Sequence, residues 1–245
     1  MCSTCGCGTD EVRISGGEHE HAQPHHHSHP HEGRTHTLEL EVAVLARNDR
    51  LAEHNRSWLT ARRIRAINLM SSPGAGKTTL LERTIAESDG NVSVVEGDQE
   101  TAFDAERIRS AGARAVQVNT GTGCHLDADM VRRAIEQLRP EPSDTLFIEN
   151  VGNLVCPALF DLGEARKVVV ISVTEGDDKP LKYPHMFAVA DLVLVNKIDL
   201  LPYVDFDVHR LARDANKLNP GLELLPVSAR TGENFTHWYE WISGI

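Results

Sequence analysis

The chain has 245 residues, 40% of them hydrophobic, enough to bury one sizeable α/β core in one domain or two. A formal net charge of −11 argues against a nucleic-acid partner, and no segment approaches the roughly 18 apolar residues that a membrane span needs. No N-terminal stretch joins a basic region to an apolar one, so we expect a cytosolic protein without a membrane partner.

Residues 1–36 cannot build a core: Cys2, Cys5 and Cys7 are followed by His19, His21, His25, His26, His27, His29, His31 and His36, interrupted by Gly, Pro and Glu. We expect a disordered metal-binding tail. Three thiolates so close together can wrap one soft or borderline ion, and removal of Met1 would add a terminal amine. That set suits square-planar Ni²⁺, although Zn²⁺ and Cu⁺ also favour thiolates. In a reducing compartment the cluster reads as ligands rather than a disulfide framework. Ser28 and Pro30 interrupt the histidine run, which reads as native sequence rather than a tag. Its imidazoles can store or buffer divalent ions, or act only as a solubilising tail.

From 37 to 63 the apolar pattern first alternates and then lengthens. Ala, Arg, Glu and Leu dominate and no turn residue breaks Leu38–Ala46, so a helix is expected. Beyond it strands are expected near 64–70, 92–96, 114–118, 145–149, 167–173, 192–195 and 222–226, and helices near 77–87, 102–111, 127–138, 205–218 and 233–242. Such alternation implies an α/β fold, a mostly parallel sheet with helices on both faces. The expected organisation is therefore a tail (1–36), a helical segment (37–63) and an α/β domain (64–245).

After the first strand comes Ser-Ser-Pro-Gly-Ala-Gly-Lys-Thr-Thr at 71–79, a phosphate loop whose first Gly is replaced by Ser71. Side chains on Gly74 and Gly76 would block the backbone N–H groups of the loop, Ala75 included, from converging on a phosphate. Lys77 reaches the β- and γ-phosphates, and the Thr78 hydroxyl, beside Thr79 at a helix start, can ligate Mg²⁺. Glu149 ends one expected strand and Asp98 follows another, the place where a nucleotide hydrolase carries the carboxylate for Mg²⁺ or the attacking water. The alternative for either is a helix cap or a solvated loop charge.

Cys124-His125 lies in a Gly-rich turn and Cys156 follows Glu149 by seven residues. If both loops cover the carboxyl ends of the strands, thiolates and imidazole converge near the nucleotide, coupling metal to its state. The spacing matches no recognised finger, and a single Cys is commonly a small buried apolar residue. Asn196-Lys197-Ile198-Asp199 follows a later strand. The Asp199 carboxylate can accept from guanine N1–H and N2–H₂, which adenine cannot match. Asn196 would fix that loop, the Lys197 stem would cover the base, and Ser228-Ala229 can present a backbone N–H to guanine O6. GTP and GDP are the expected ligands.

With the phosphate loop, Glu-Asn-Val-Gly-Asn at 149–153, Gly-Cys-His-Leu-Asp at 123–127 and Thr-Glu-Gly-Asp-Asp-Lys-Pro-Leu-Lys-Tyr-Pro at 174–184, the chain resembles the HypB-type hydrogenase maturation GTPases from about Leu38 to its C-terminus. Its N-terminal Cys-x-x-Cys-Gly-Cys also occurs in some members. The resemblance implies a GTPase of low intrinsic turnover that dimerises around GTP. It also implies delivery of nickel to the large subunit of [NiFe]-hydrogenase with a HypA-type accessory protein. Carried over residue by residue, Cys2, Cys5 and Cys7 become a tail nickel site, and Cys124, His125 and Cys156 a second site for Ni²⁺ or Zn²⁺. Lys77, Thr78, Asp98 and Glu149 serve phosphate and Mg²⁺, while Lys179 and Lys182 can contact nucleotide or the other subunit. A urease-type nickel GTPase would place Pro between Cys and His, whereas Cys124 and His125 are adjacent; a nickel-storage protein is the other alternative.

Overall fold

The computed structural model describes residues 32–88, 90–98 and 103–245, with side chains described from residue 42 onward. Cys2, Cys5, Cys7 and the histidine run up to His31 lie outside the described residues, as does the start of the helix expected at 102.

Seven strands, β1 (Arg65–Ser71), β2 (Val92–Asp98), β3 (Arg114–Asn119), β4 (Thr145–Gly152), β5 (Arg166–Ser172), β6 (Leu192–Asn196) and β7 (Glu223–Pro226), form one sheet in the order β3-β2-β4-β1-β5-β6-β7. Every pairing is parallel. The helices are α1 (Glu32–Ala61), α2 (Lys77–Glu87), α3 (Phe103–Ser110), α4 (Ala128–Leu138), the short α5 (Lys179–Lys182) and α6 (Pro184–Ala188), then α7 (Val208–Leu218) and α8 (Phe235–Ser243).

Side chains alternate across a strand, and the cores follow that period. Ile67 and Leu69 of β1 face one side with Leu80, Ile108, Phe147 and Trp238, a core closed by α2, α3 and α8. Ala66 and Met70 face the other. There Leu59, Val131, Ile135 and Leu146 pack around Ala66 under α1 and α4, while Phe187, Val193 and Leu211 pack around Met70 under α6 and α7. With helices on both faces, the strands read as continuous apolar runs.

The long α1 is tied down rather than free. Asn48 accepts from Ala128 N at 2.9 Å, and Asn55 donates to the carbonyls of Ala128 and Leu162 at 2.9 and 3.0 Å. Gly163, at φ +89°, lets the chain pass α1 closely: a Cβ there would lie 2.5 Å from the Ala52 carbonyl. The helix expected from 205 begins at Val208, because Asp207 caps it by accepting from His209 N and Arg210 N. The residues before that cap, Ile198–Tyr203, form 3₁₀ turns around Pro202.

Candidate functional site

In a parallel sheet a ligand sits beyond the carboxyl ends of the strands, where the chain reverses its direction of winding. The central β1 ends in the phosphate loop and α2. Around that loop lies a cavity of about 540 Å³ lined by Gly74, Lys77, Thr78, Glu96, Asp98 and Glu149 among others. Gly76 stands before α2 at φ +97°, and a Cβ on it would come within 2.6 Å of Asn196 Nδ2. This is the close approach for which a glycine is required. The buried Lys77 donates to Ser71 Oγ at 2.6 Å, so the serine in place of the first Gly anchors the lysine here. Thr78 Oγ1 donates to Glu149 Oε1 at 3.0 Å. Arg107 of α3 grips Glu82 through two hydrogen bonds of 3.0 and 2.7 Å and contacts Thr79 Oγ1 at 3.3 Å, joining α3 to α2.

Burial dominates the electrostatics. It lowers the Lys77 pKa, with Glu149 the largest opposing influence. It raises Glu149 to about 7 against Lys77 and the Thr78 hydrogen bond, and Glu96 to about 8, with Glu149 adding to the effect. Glu149 Oε2 and Glu96 Oε2 have no hydrogen-bond partner among the described residues. An all-oxygen set with an orphaned buried carboxylate oxygen fits a hard divalent cation such as Mg²⁺.

The Asn196–Asp199 loop closes one side of the cavity. Asn196 donates to Ala75 O at 2.9 Å and accepts from Lys197 N at 2.8 Å and Ala229 N at 3.0 Å. Lys197 Nζ reaches Gly74 O at 2.7 Å. The Ser228-Ala229 pair was expected to present one backbone N–H to guanine O6; both of its N–H groups have acceptors, Glu233 O for Ser228 and Asn196 Oδ1 for Ala229, so a base would share one of them. Ser228 takes a different part: its hydroxyl donates to Asp199 Oδ1 at 2.7 Å and aims that carboxylate.

Cys124, His125 and Cys156 come together, their ligand atoms all within 4.8 Å of one another and the two sulfurs 3.0 Å apart. Cys156 is buried at the start of a 3₁₀ turn, Cys156–Leu159. The His125 ring stacks on Phe160 with centroids 4.0 Å apart, and burial lowers its pKa, favouring the neutral imidazole that ligates metals. Two sulfurs and one ring nitrogen form a set for Zn²⁺, Ni²⁺ or copper rather than for Mg²⁺.

Strand β4 links the two centres. It carries Glu149, and the next residue, Asn150, accepts from Leu126 N at 3.1 Å, beside His125. Asn153 donates to Cys124 O at 3.3 Å. A second cavity of about 290 Å³ runs from Ser72 and Pro73 past Gly152 to Cys124 and Lys179. Glu175 accepts from Ser72 Oγ and from Ser172 N, tying the phosphate loop to the 174–184 segment. Lys179 Nζ lies 4.0 Å from Glu175, whereas the exposed Lys182 pairs with Asp178 at 2.7 Å. Asp98 ends β2 half-buried on the cavity wall.

Sequence reasoning passed over Glu96, Asn150 and the Ser72–Glu175 link. For Glu96 a signal was present, a charge directly after the run Val92–Val95 and still inside the strand; the other two depend on which strands become neighbours.

Asp98 ends β2, whereas Glu149, expected at a strand end, lies inside β4, which runs on to Gly152. Phosphate loop, cavity-lining carboxylates and parallel sheet define a phosphate-loop nucleotide-binding protein that also carries a thiolate–imidazole cluster. The family model for the CobW/HypB/UreG nucleotide-binding domain matches residues 65–226. The hydrogenase maturation factor HypB of Rhizobium leguminosarum bv. viciae is 57% identical over 207 residues, covering 84% of this chain and 69% of that protein. Its counterpart in Escherichia coli K12 is 47% identical over 284 residues, covering 99% and 98%. The crystal structure of HypB from Helicobacter pylori in complex with nickel matches with a TM-score of 0.78 at 40% identity, over 81% of this chain and 94% of that one. The chain belongs to the CobW/HypB/UreG family and, within it, to the HypB hydrogenase maturation factors. Among the described residues no helix is long and apolar enough to cross a membrane.

Proposed function

We propose that the chain is a GTP-hydrolysing nickel metallochaperone that delivers nickel to the large subunit of [NiFe]-hydrogenase, with storage in its histidine-rich tail. The observation that carries this reading is the shared strand. Glu149 at the nucleotide and Asn150 at the backbone beside His125 are consecutive residues of β4, so a shift of that strand end is felt at both centres. The nickel complex of the Helicobacter pylori relative and the maturation role named for the relatives support nickel as cargo.

In this reading Lys77 and the loop N–H groups bind the phosphates, and Asn196, Lys197 and Asp199 hold guanine. Thr78, Asp98 and Glu149 hold Mg²⁺, which when bound neutralises charge developing on the transferred phosphoryl group. Lys77 must leave Ser71 Oγ to reach the phosphate. Closure of the Asp98 and Glu149 loops on GTP pulls β4 and resets Cys124, His125 and Cys156, which hold Ni²⁺ or Zn²⁺. Cys2, Cys5 and Cys7 form the tail nickel site. A GTP-dependent homodimer, a HypA-type partner and a cytoplasmic setting complete the proposal, with Lys179 and Lys182 available to nucleotide or the second subunit.

The test is transfer of radioactive nickel from the loaded full chain to a hydrogenase large-subunit precursor, with GTP turnover followed in parallel. Transfer should require GTP. Lys77→Ala should abolish turnover and GTP-dependent transfer while nickel stays on the tail. Transfer at equal rates with GTP, GDP or no nucleotide would contradict the proposal, and turnover retained in Lys77→Ala would remove the phosphate-loop assignment.

A further inference from the structure

Glu96 is a charged residue in the middle of a buried strand, and none of the roles above uses it. Its Cα pairs in register with that of Glu149 on the adjacent parallel β4, so the two side chains leave the sheet on the same face. The residues are 2% and 4% exposed, and each has an Oε2 without a hydrogen-bond partner among the described residues. Both line the nucleotide cavity with Lys77 and Thr78. A buried carboxylate is retained where it is paired or serves a metal. Lys77 is one cation against two such carboxylates and is bonded to Ser71 Oγ, while Thr78 is bonded to Glu149 alone.

Glu96 stands one strand farther from Thr78 than Glu149 does. Adjacent strands are about 4.8 Å apart. That spacing sets Glu96 beside, rather than among, the direct ligands of a cation held by Glu149 and within the span of one coordinated water, given a Mg²⁺–water bond of about 2.1 Å and a water–carboxylate hydrogen bond of about 2.7 Å. Mg²⁺ gives up its waters reluctantly and keeps several when protein-bound. We propose that Glu96 is a positioning residue for the divalent cation, its carboxylate accepting a hydrogen bond from a coordinated water on the Glu149 side. The inference rests on the nucleotide-site reading above and adds a residue to it.

The test uses the full chain with Mn²⁺ as the probe, and its tail is kept silent by first filling the thiolate and imidazole sites with Zn²⁺. GDP affinity is measured in EDTA before Zn²⁺ loading. Mn²⁺ affinity of the GDP complex is then read from the electron paramagnetic resonance signal of free Mn²⁺. Glu96→Gln, which keeps shape and removes charge, should leave GDP affinity in EDTA within twofold and weaken Mn²⁺ binding by about tenfold or more, the usual cost of losing an outer-shell partner. Glu96→Asp should recover part of that loss. Equal Mn²⁺ affinity in Glu96→Gln and the parent would overturn the proposal while leaving the nucleotide site intact. A loss of GDP affinity in EDTA as large as the loss of Mn²⁺ affinity would also overturn it, by assigning Glu96 a structural part. Failure of the parent chain to bind GDP would overturn the nucleotide reading and the role of Glu96 with it.

Discussion

Asn150→Ala tests the link between the two centres. Asn150 is 1% exposed, and its Oδ1 accepts from Leu126 N at 3.1 Å and from Val151 N at 3.0 Å. Its Nδ2 makes a longer contact of 3.4 Å with Asn68. Alanine leaves two buried N–H groups without an acceptor, each costing about 1–3 kcal/mol. We therefore expect a destabilisation of about 2–6 kcal/mol, counting nothing for the contact with Asn68. At a urea slope of about 2 kcal/mol per molar, the unfolding midpoint should fall by about 1–3 M with the slope unchanged. Because Leu126 adjoins His125, Zn²⁺ affinity in competition with a chromophoric chelator should also fall by about tenfold or more. A midpoint shift below about 0.3 M with unchanged Zn²⁺ affinity would refute the reasoning that Asn150 holds the turn to β4.

Three other outcomes follow from the same geometry. Gly76→Ala places a Cβ 2.6 Å from Asn196 Nδ2 at a backbone φ of +97°; left-handed strain of about 1–2 kcal/mol plus a displaced Asn196 should weaken both stability and GDP binding, and calorimetric GDP affinity equal to the parent's would contradict this. Asp199→Asn exchanges a carboxylate acceptor for an amide donor, so GDP affinity should drop by about a hundredfold while xanthosine diphosphate gains; unaltered base preference would exclude Asp199 as the reader. The third concerns pH. Burial raises Glu149 from 4.5 to about 7, so the nucleotide-free folded chain holds a proton between those values that the unfolded chain has released. Its stabilising contribution is complete below about pH 4.5 and is lost as pH rises through 7. Urea unfolding in EDTA at pH 5 and 8 should show a smaller loss for Glu149→Gln than for the parent, and equal losses would refute the shift.

Much of the fold was legible because its signals are local. The apolar runs that became β1, β4, β5 and β6 are buried on both faces and need no neighbour to be recognised. The phosphate loop needs only its own glycines and the helix after it. The short helices at 179–182 and 184–188 were not legible, since one turn carries no periodicity and each has a proline in its first two positions that serves a loop equally well. The convergence of Cys124 with Cys156 depends on β3, β2 and β4 lying side by side, a fact of topology that two loops 32 residues apart do not encode. The hydroxyl contact of Ser228 with Asp199 was not legible either, because it joins two loops 29 residues apart, and the turn to Glu233 also occupies the Ser228 N–H. Glu96 was overlooked for the opposite reason: its oddity was local, but its partner Glu149 is 53 positions away and is set beside it only by strand register.

The central claim is that nucleotide state changes the metal site formed by Cys124, His125 and Cys156. It is tested most directly by titrating Ni²⁺ and Zn²⁺ competitively into reduced protein lacking residues 1–31, first with GDP and then with a non-hydrolysable GTP analogue. The account predicts a Ni²⁺ affinity that differs between the two nucleotides by about tenfold, a coupling of about 1.4 kcal/mol. Identical affinities in the two states would contradict the coupling and leave a nucleotide-binding protein that carries nickel without a switch for releasing it.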